Sequence, residues 1–111
     1  MKIELDHLLW AAPDLDAGTA LFKQISGVAP VIGGSQPGFG TRNALTSPSD
    51  GEYLEVISPD PAQDLAGTRG ALIAAMTQPQ MLTFALRTAY LGEVAQRARD
   101  AGLATEGPID M

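Results

Sequence analysis

The sequence predicts an α+β fold: a strand, a helix and two or three further strands, followed by the strand and helix of a second unit that goes no further. Three observations lead there. Apolar residues alternate with period two in the opening segment and again around Tyr53–Ile57, a capped helical stretch lies between the two, and a new strand-then-helix pattern begins after residue 80.

The first strand carries Ile3, Leu5, His7 and Leu9 on one face, so the only histidine of the chain interrupts an apolar row. Ala12-Pro13-Asp14 turns the chain into a helix over 15–26, where Asp14 and Asp16 suit the positive helix end. Leu15, Leu21, Phe22 and Ile25 form its apolar side, and Gly27 stands where a left-handed cap closes a helix. Four glycines and one proline within Gly33–Gly40 read as a loop between strands. Thr41–Thr46 resumes as a strand, Ser47–Gly51 is a hairpin turn, and Glu52–Ser58 pairs back with Tyr53, Glu55 and Ile57 on one face. Pro59-Asp60-Pro61 ends that strand. The spacing of Leu65, Leu72, Ile73 and Met76 predicts a connecting helix within 62–77, Met81–Arg87 alternates as a strand, and Leu91, Val94, Ala95 and Ala98 line one side of a helix over 90–101. The division expected is a single domain over 1–111, with a first module at 1–61, a connecting segment at 62–80 and a partial second module at 81–111.

Composition narrows the function. Thirteen acidic against seven basic residues give a net charge of −6, which opposes binding to nucleic acid because affinity there rests on Lys and Arg neutralising phosphates. With no cysteine there are no disulfides, thiolate metal sites or cysteine nucleophiles. No apolar run approaches the ~18 residues of a membrane-spanning helix, and acids at the start argue against a signal peptide, so a soluble cytoplasmic protein with no membrane partner is expected. The Gly-rich stretch lacks the Gly-Lys-Ser/Thr ending of a phosphate loop and the glycine spacing of a dinucleotide fingerprint, and no serine sits in a Gly-x-Ser-x-Gly frame.

The chemistry-bearing candidates follow from the strand patterns. His7 is either a ligand or general acid/base, or a histidine hydrogen-bonded in the core. Glu55, on an apolar strand face, needs a partner such as a metal, Arg42 or His7, unless it faces solvent at an edge. Asn43 offers a donor and an acceptor to a ligand, and Arg42 would bind an anionic group if the Gly-rich loop folded over the pocket. Both would equally serve to secure that loop. Trp10, Tyr53 and Phe39 line an apolar pocket or fill the core.

Leu5-Asp6-His7-Leu8-Leu9-Trp10-Ala11-Ala12-Pro13-Asp14-Leu15, Gly33–Asn43 and Tyr53-Leu54-Glu55-Val56-Ile57 with Pro59-Asp60-Pro61 together resemble the vicinal oxygen chelate superfamily, and within it the glyoxalase-like domain proteins. The resemblance implies two βαβββ modules forming a cupped sheet around a ligand or metal pocket. It also implies that a histidine on the first strand and a glutamate on the last strand of the first module are metal ligands, here His7 and Glu55. The corresponding opening strand of the second module has Thr83 near the ligand position, so the remaining ligands would come from a partner subunit or further sequence. Unpaired sheet edges point to a homodimer. The expected function is that of a small-molecule enzyme of lyase, isomerase or dioxygenase type using a divalent Zn, Ni, Mn or Fe ion. The alternative is a metal-free small-ligand-binding module of the antibiotic-resistance type.

Overall fold

The computed structural model describes residues 2–49 and 51–109. Its elements run β1 (Glu4–Ala11), α1 (Leu15–Ser26), β2 (Val31–Gln36), β3 (Thr41–Ser49), β4 (Glu52–Pro59), α2 (Arg69–Ala74), β5 (Gln80–Arg87) and α3 (Leu91–Asp100). The strands form one sheet in the order β2-β3-β4-β1-β5, with β1 parallel to β4 and β2, β3 and β4 antiparallel in succession. The chain divides into two compact units, Asp6–Ala85 and Met1–Leu5 with Leu86–Met111.

In the larger unit each face of the sheet has its own apolar cluster. On one face α1 lays Leu15 against Ala12, Ala44 and Val56, with Trp10 and Leu54 at the margin. The helix starts where the Asp14 carboxylate accepts the Ala17 N–H at 2.8 Å and stops at Gly27, whose φ of 78° lets its N–H reach the Lys23 carbonyl. Gly18 permits the close approach, because a Cβ there would lie 2.5 Å from the Ala12 Cβ. On the other face Leu9, Ala11 and Ile57 pack beneath Ile73 of α2, with Met76 and Leu82 beside them. Burying these side chains supplies the main driving force, about 25 cal/mol per Å² of apolar surface.

Two segments depart from the sequence expectation. The stretch read as a loop from Gly33 is strand through Gln36. A glycine pair carries no side-chain alternation to betray a strand. The backbone is nonetheless held there, because Gly34 N–H donates to Asn43 Oδ1 at 3.0 Å and a bulge separates Ile32 from Ser35. In the connecting segment, helix forms only over Arg69–Ala74. The preceding residues are spent on turns instead: Gln63 N–H donates to the Asp60 carbonyl, Thr68 N–H to that of Leu65, and Gly67 adopts a φ of 70°. The hairpin turn is tighter than expected, since β3 continues to Ser49 and β4 begins at Glu52; Asp50 lies outside the described residues.

In the smaller unit Glu4 accepts from Lys2 Nζ at 2.9 Å and from Arg87 Nε at 3.3 Å. Helix α3 carries an i,i+4 pair between Arg97 and Glu93 at 3.1 Å and has no fully buried residue. Among the described residues no helix is long and apolar enough to cross a membrane.

Candidate functional site

Strand register brings the chemistry together. Parallel pairing aligns His7 with Tyr53, Leu9 with Glu55 and Ala11 with Ile57. Antiparallel pairing then places Leu45 opposite Glu55 and Asn43 opposite Ile57. Alternation puts all of these side chains on one face. Leu9, Ala11 and Ile57 are the part of it that lies beneath α2.

On that face His7 Nε2 lies 3.6 Å from Glu55 Oε2. The other ring nitrogen, Nδ1, is 2.7 Å from Asp6 Oδ2, and the other carboxylate oxygen, Glu55 Oε1, accepts from Asn43 Nδ2 at 2.5 Å. Both side chains are therefore held from behind. Asp6 grips the imidazole and Asn43 the carboxylate, leaving Nε2 and Oε2 turned toward one point. Tyr53 stacks on the imidazole with centroids 4.4 Å apart and planes 10° from parallel. Its phenol pKa is raised, first by burial and then by the negative charges of Asp6 and Glu55. Next to Tyr53 a groove of about 490 Å³ is lined by Ala29, Val31, Leu45, Thr46, Ser47 and Tyr53.

The structure gathers His7, Glu55, Asn43 and Tyr53 and leaves the other three candidates elsewhere. Trp10 is on the α1 face, tilted against Phe22 at 5.8 Å. Arg42 pairs in register with Ser58, one residue out of step with Asn43, so it projects to the α1 side. Its Nε and the Ser58 hydroxyl are buried without a hydrogen-bond partner among the described residues. Phe39 lies at the far end of β4, where its carbonyl accepts the Gly70 N–H at 3.0 Å. Sequence reasoning missed Asp6 and Leu45. Alternation assigns Asp6 to the opposite face, and only its adjacency to His7 signals that its carboxylate can turn back to the ring. Leu45 shares the period-two row of Asn43.

The donor set can be tested against a divalent ion. Metal–N and metal–O bonds of about 2.1 Å reach one ion from donors as far apart as those of His7 and Glu55. Imidazole and carboxylate match two positions of such a centre in kind and in spacing. Among the described residues no group of three or more His, Asp or Glu side chains converges.

The five-stranded sheet with its helices has the glyoxalase-like fold. The chain matches the glyoxalase-like domain over residues 5–111 and belongs to that family, within the vicinal oxygen chelate superfamily. No curated protein matches it in sequence. Among solved structures, methylmalonyl-CoA epimerase from Mycobacterium tuberculosis is 24% identical with a TM-score of 0.67, over 89% of this chain and 64% of the epimerase. A variant of the Streptomyces coelicolor methylmalonyl-CoA epimerase, solved with 2-nitronate-propionyl-CoA, is 25% identical with a TM-score of 0.62, over 89% of this chain and 71% of that one. A hypothetical protein from Bacillus halodurans is 14% identical with a TM-score of 0.71, over 92% of this chain and 70% of its own. The chain thus spans less than two thirds of the length of the mycobacterial epimerase.

Proposed function

We propose that the chain is a small-molecule enzyme of isomerase type, with His7 and Glu55 as the reacting pair and as two ligands of a divalent ion. The observation that carries this reading is the 3.6 Å approach of His7 Nε2 to Glu55 Oε2, with both side chains fixed from behind. Kinship with structures of methylmalonyl-CoA epimerase supports the reaction class. A bound divalent ion would polarise a substrate oxygen. The residues themselves orient and hold: Asn43 keeps Glu55 Oε1 occupied so that Oε2 faces the pocket, and Asp6 accepts from Nδ1 so that the lone pair rests on Nε2. Tyr53 covers one side of the imidazole and limits water there. A catalytic ion takes about three protein ligands plus an open position, so the proposal includes a homodimer in which a second copy completes the set.

A metal-free ligand-binding module is the second reading, favoured by the apolar groove beside Tyr53. Glu55→Gln separates the two. Titration of Zn²⁺, Ni²⁺, Mn²⁺ and Fe²⁺, read by plasma mass spectrometry of the desalted protein, should give metal uptake that Glu55→Gln and His7→Ala abolish. Uptake unchanged by either substitution overturns the metal-assisted reading.

A further inference from the structure

Two glycines on the outermost strand bear on the carboxylate of the site. In β2, Ile32 pairs with Ala44 and Ser35 with Arg42, so Gly33 and Gly34 together oppose the single residue Asn43 in a bulge. Neither glycine has a positive φ, so the backbone there is open to any L-residue. Space distinguishes them. A Cβ on Gly34 would meet nothing within 4 Å, whereas a Cβ on Gly33 would fall well inside contact distance of Asn43 Oδ1 and 3.2 Å from Asn43 Cγ. The Asn43 carbonyl oxygen would lie an ordinary 3.6 Å away. A side chain at position 33 would thus displace the Asn43 amide and not the sheet. That amide is committed at both ends. Its Oδ1 accepts the Gly34 N–H at 3.0 Å and its Nδ2 donates to Glu55 Oε1. The two partners fix which way round it sits, because a flipped amide would set its NH₂ against the Gly34 N–H and its oxygen against the carboxylate. Glu55 itself is buried, and its other oxygen is the one 3.6 Å from His7 Nε2.

From this chain of contacts we infer that Gly33 is a positioning residue for Glu55: its missing side chain leaves the seat from which the Asn43 amide turns Glu55 Oε2 toward His7 Nε2. An alanine methyl in that seat would swing the amide away. Glu55 Oε1 would then lose its donor, while the exposed Gly34 N–H would turn to water. Losing a hydrogen-bond partner that orients a metal-ligating group costs about 10–100-fold in metal affinity. The inference rests on the reading of Glu55 as a pocket residue, and its first readout needs no metal.

Asn43 is the only asparagine of the chain, so selective ¹⁵N-asparagine labelling gives a single side-chain NH₂ pair in the NMR spectrum of the full chain. In the wild type the proton donated to Glu55 should stand apart from its free-amide position and exchange with water about tenfold more slowly than in free asparagine. Gly33→Ala should return the pair to the free position, and Gly34→Ala should leave it in place. Zn²⁺ affinity then reads the consequence. Gly33→Ala should lower it about tenfold in the wild-type background and by less than about twofold in Asn43→Ala, where the amide that the methyl displaces is already gone. The urea midpoint should show the same non-additivity. A merely structural role would lower the midpoint in both backgrounds and leave the NH₂ pair where it is. An unmoved pair in Gly33→Ala, an equal change in Gly34→Ala, undiminished Zn²⁺ affinity in Gly33→Ala, a full further loss on top of Asn43→Ala, or failure of Gly33→Ala to fold overturns the inference. A wild type that takes up no Zn²⁺, with an NH₂ pair that responds to Gly33→Ala and not to Gly34→Ala, upholds it and removes the metal reading.

Discussion

At His7 two carboxylates share one imidazole, with Asp6 at Nδ1 and Glu55 facing Nε2. Asn43 is what allows a nearly buried glutamate to remain on this face, since its amide donates to Glu55 and its carbonyl oxygen accepts from Gly34. Asn43→Ala should therefore destabilise the fold by about 1–3 kcal/mol, read as a lower midpoint in urea, because it leaves a partly desolvated carboxylate with one partner fewer. Asp60 makes the pH prediction. Its carboxyl pKa is held below the ordinary 3.8, first by the Gln63 side-chain hydrogen bond, then by the Ala62 N–H and further by Ser35 and the Arg42 charge. A depressed folded pKa contributes stability that is complete above the ordinary value and is lost as pH falls through the folded one. Asp60→Asn should thus flatten the fall in stability below about pH 4 while the wild type keeps a steeper slope, as acid titration followed by circular dichroism will read.

At the scale of elements, α2 depends on a contact without side chains. A Cβ on Gly70 would lie 2.0 Å from the Gly40 carbonyl oxygen, so Gly70→Ala should push α2 and its Ile73 off the sheet, lowering stability by about 1–3 kcal/mol in thermal or chemical unfolding. Gly92 is the contrast. It lies within α3 with nothing near its missing Cβ, and Gly92→Ala should raise stability by about 0.5–1 kcal/mol. These elements were unequally legible in the sequence. β1, α1 and β4 announced themselves through alternation and through Asp14 and Gly27, and their register carried His7 and Glu55 to one face. β2 was hidden, because Gly33 and Gly34 have no side chains to alternate and owe their strand geometry to Asn43 on the neighbouring strand. The helix in the 62–77 segment looked longer than it is, because its apolar spacing says nothing of the turns drawn in by Asp60 and Gln63. That network of side chains reaching the carbonyls of Gln36 and Thr41 is tertiary.

For the molecule as a whole, the outer strands of the sheet decide what it can assemble with. In the larger unit β2 exposes Val31 at 72% and Ile32 at 61%, and β5 exposes Phe84 at 59%. Apolar edge strands of this kind invite pairing with another chain. The same step would supply the ligands that His7 and Glu55 lack, which joins assembly and chemistry in one proposal. Native mass spectrometry of the protein loaded with Zn²⁺ reads both at once. The account predicts a homodimer that retains metal, with the metal lost in His7→Ala while the dimer persists. A monomer carrying no metal, or a dimer whose metal survives His7→Ala, would contradict it.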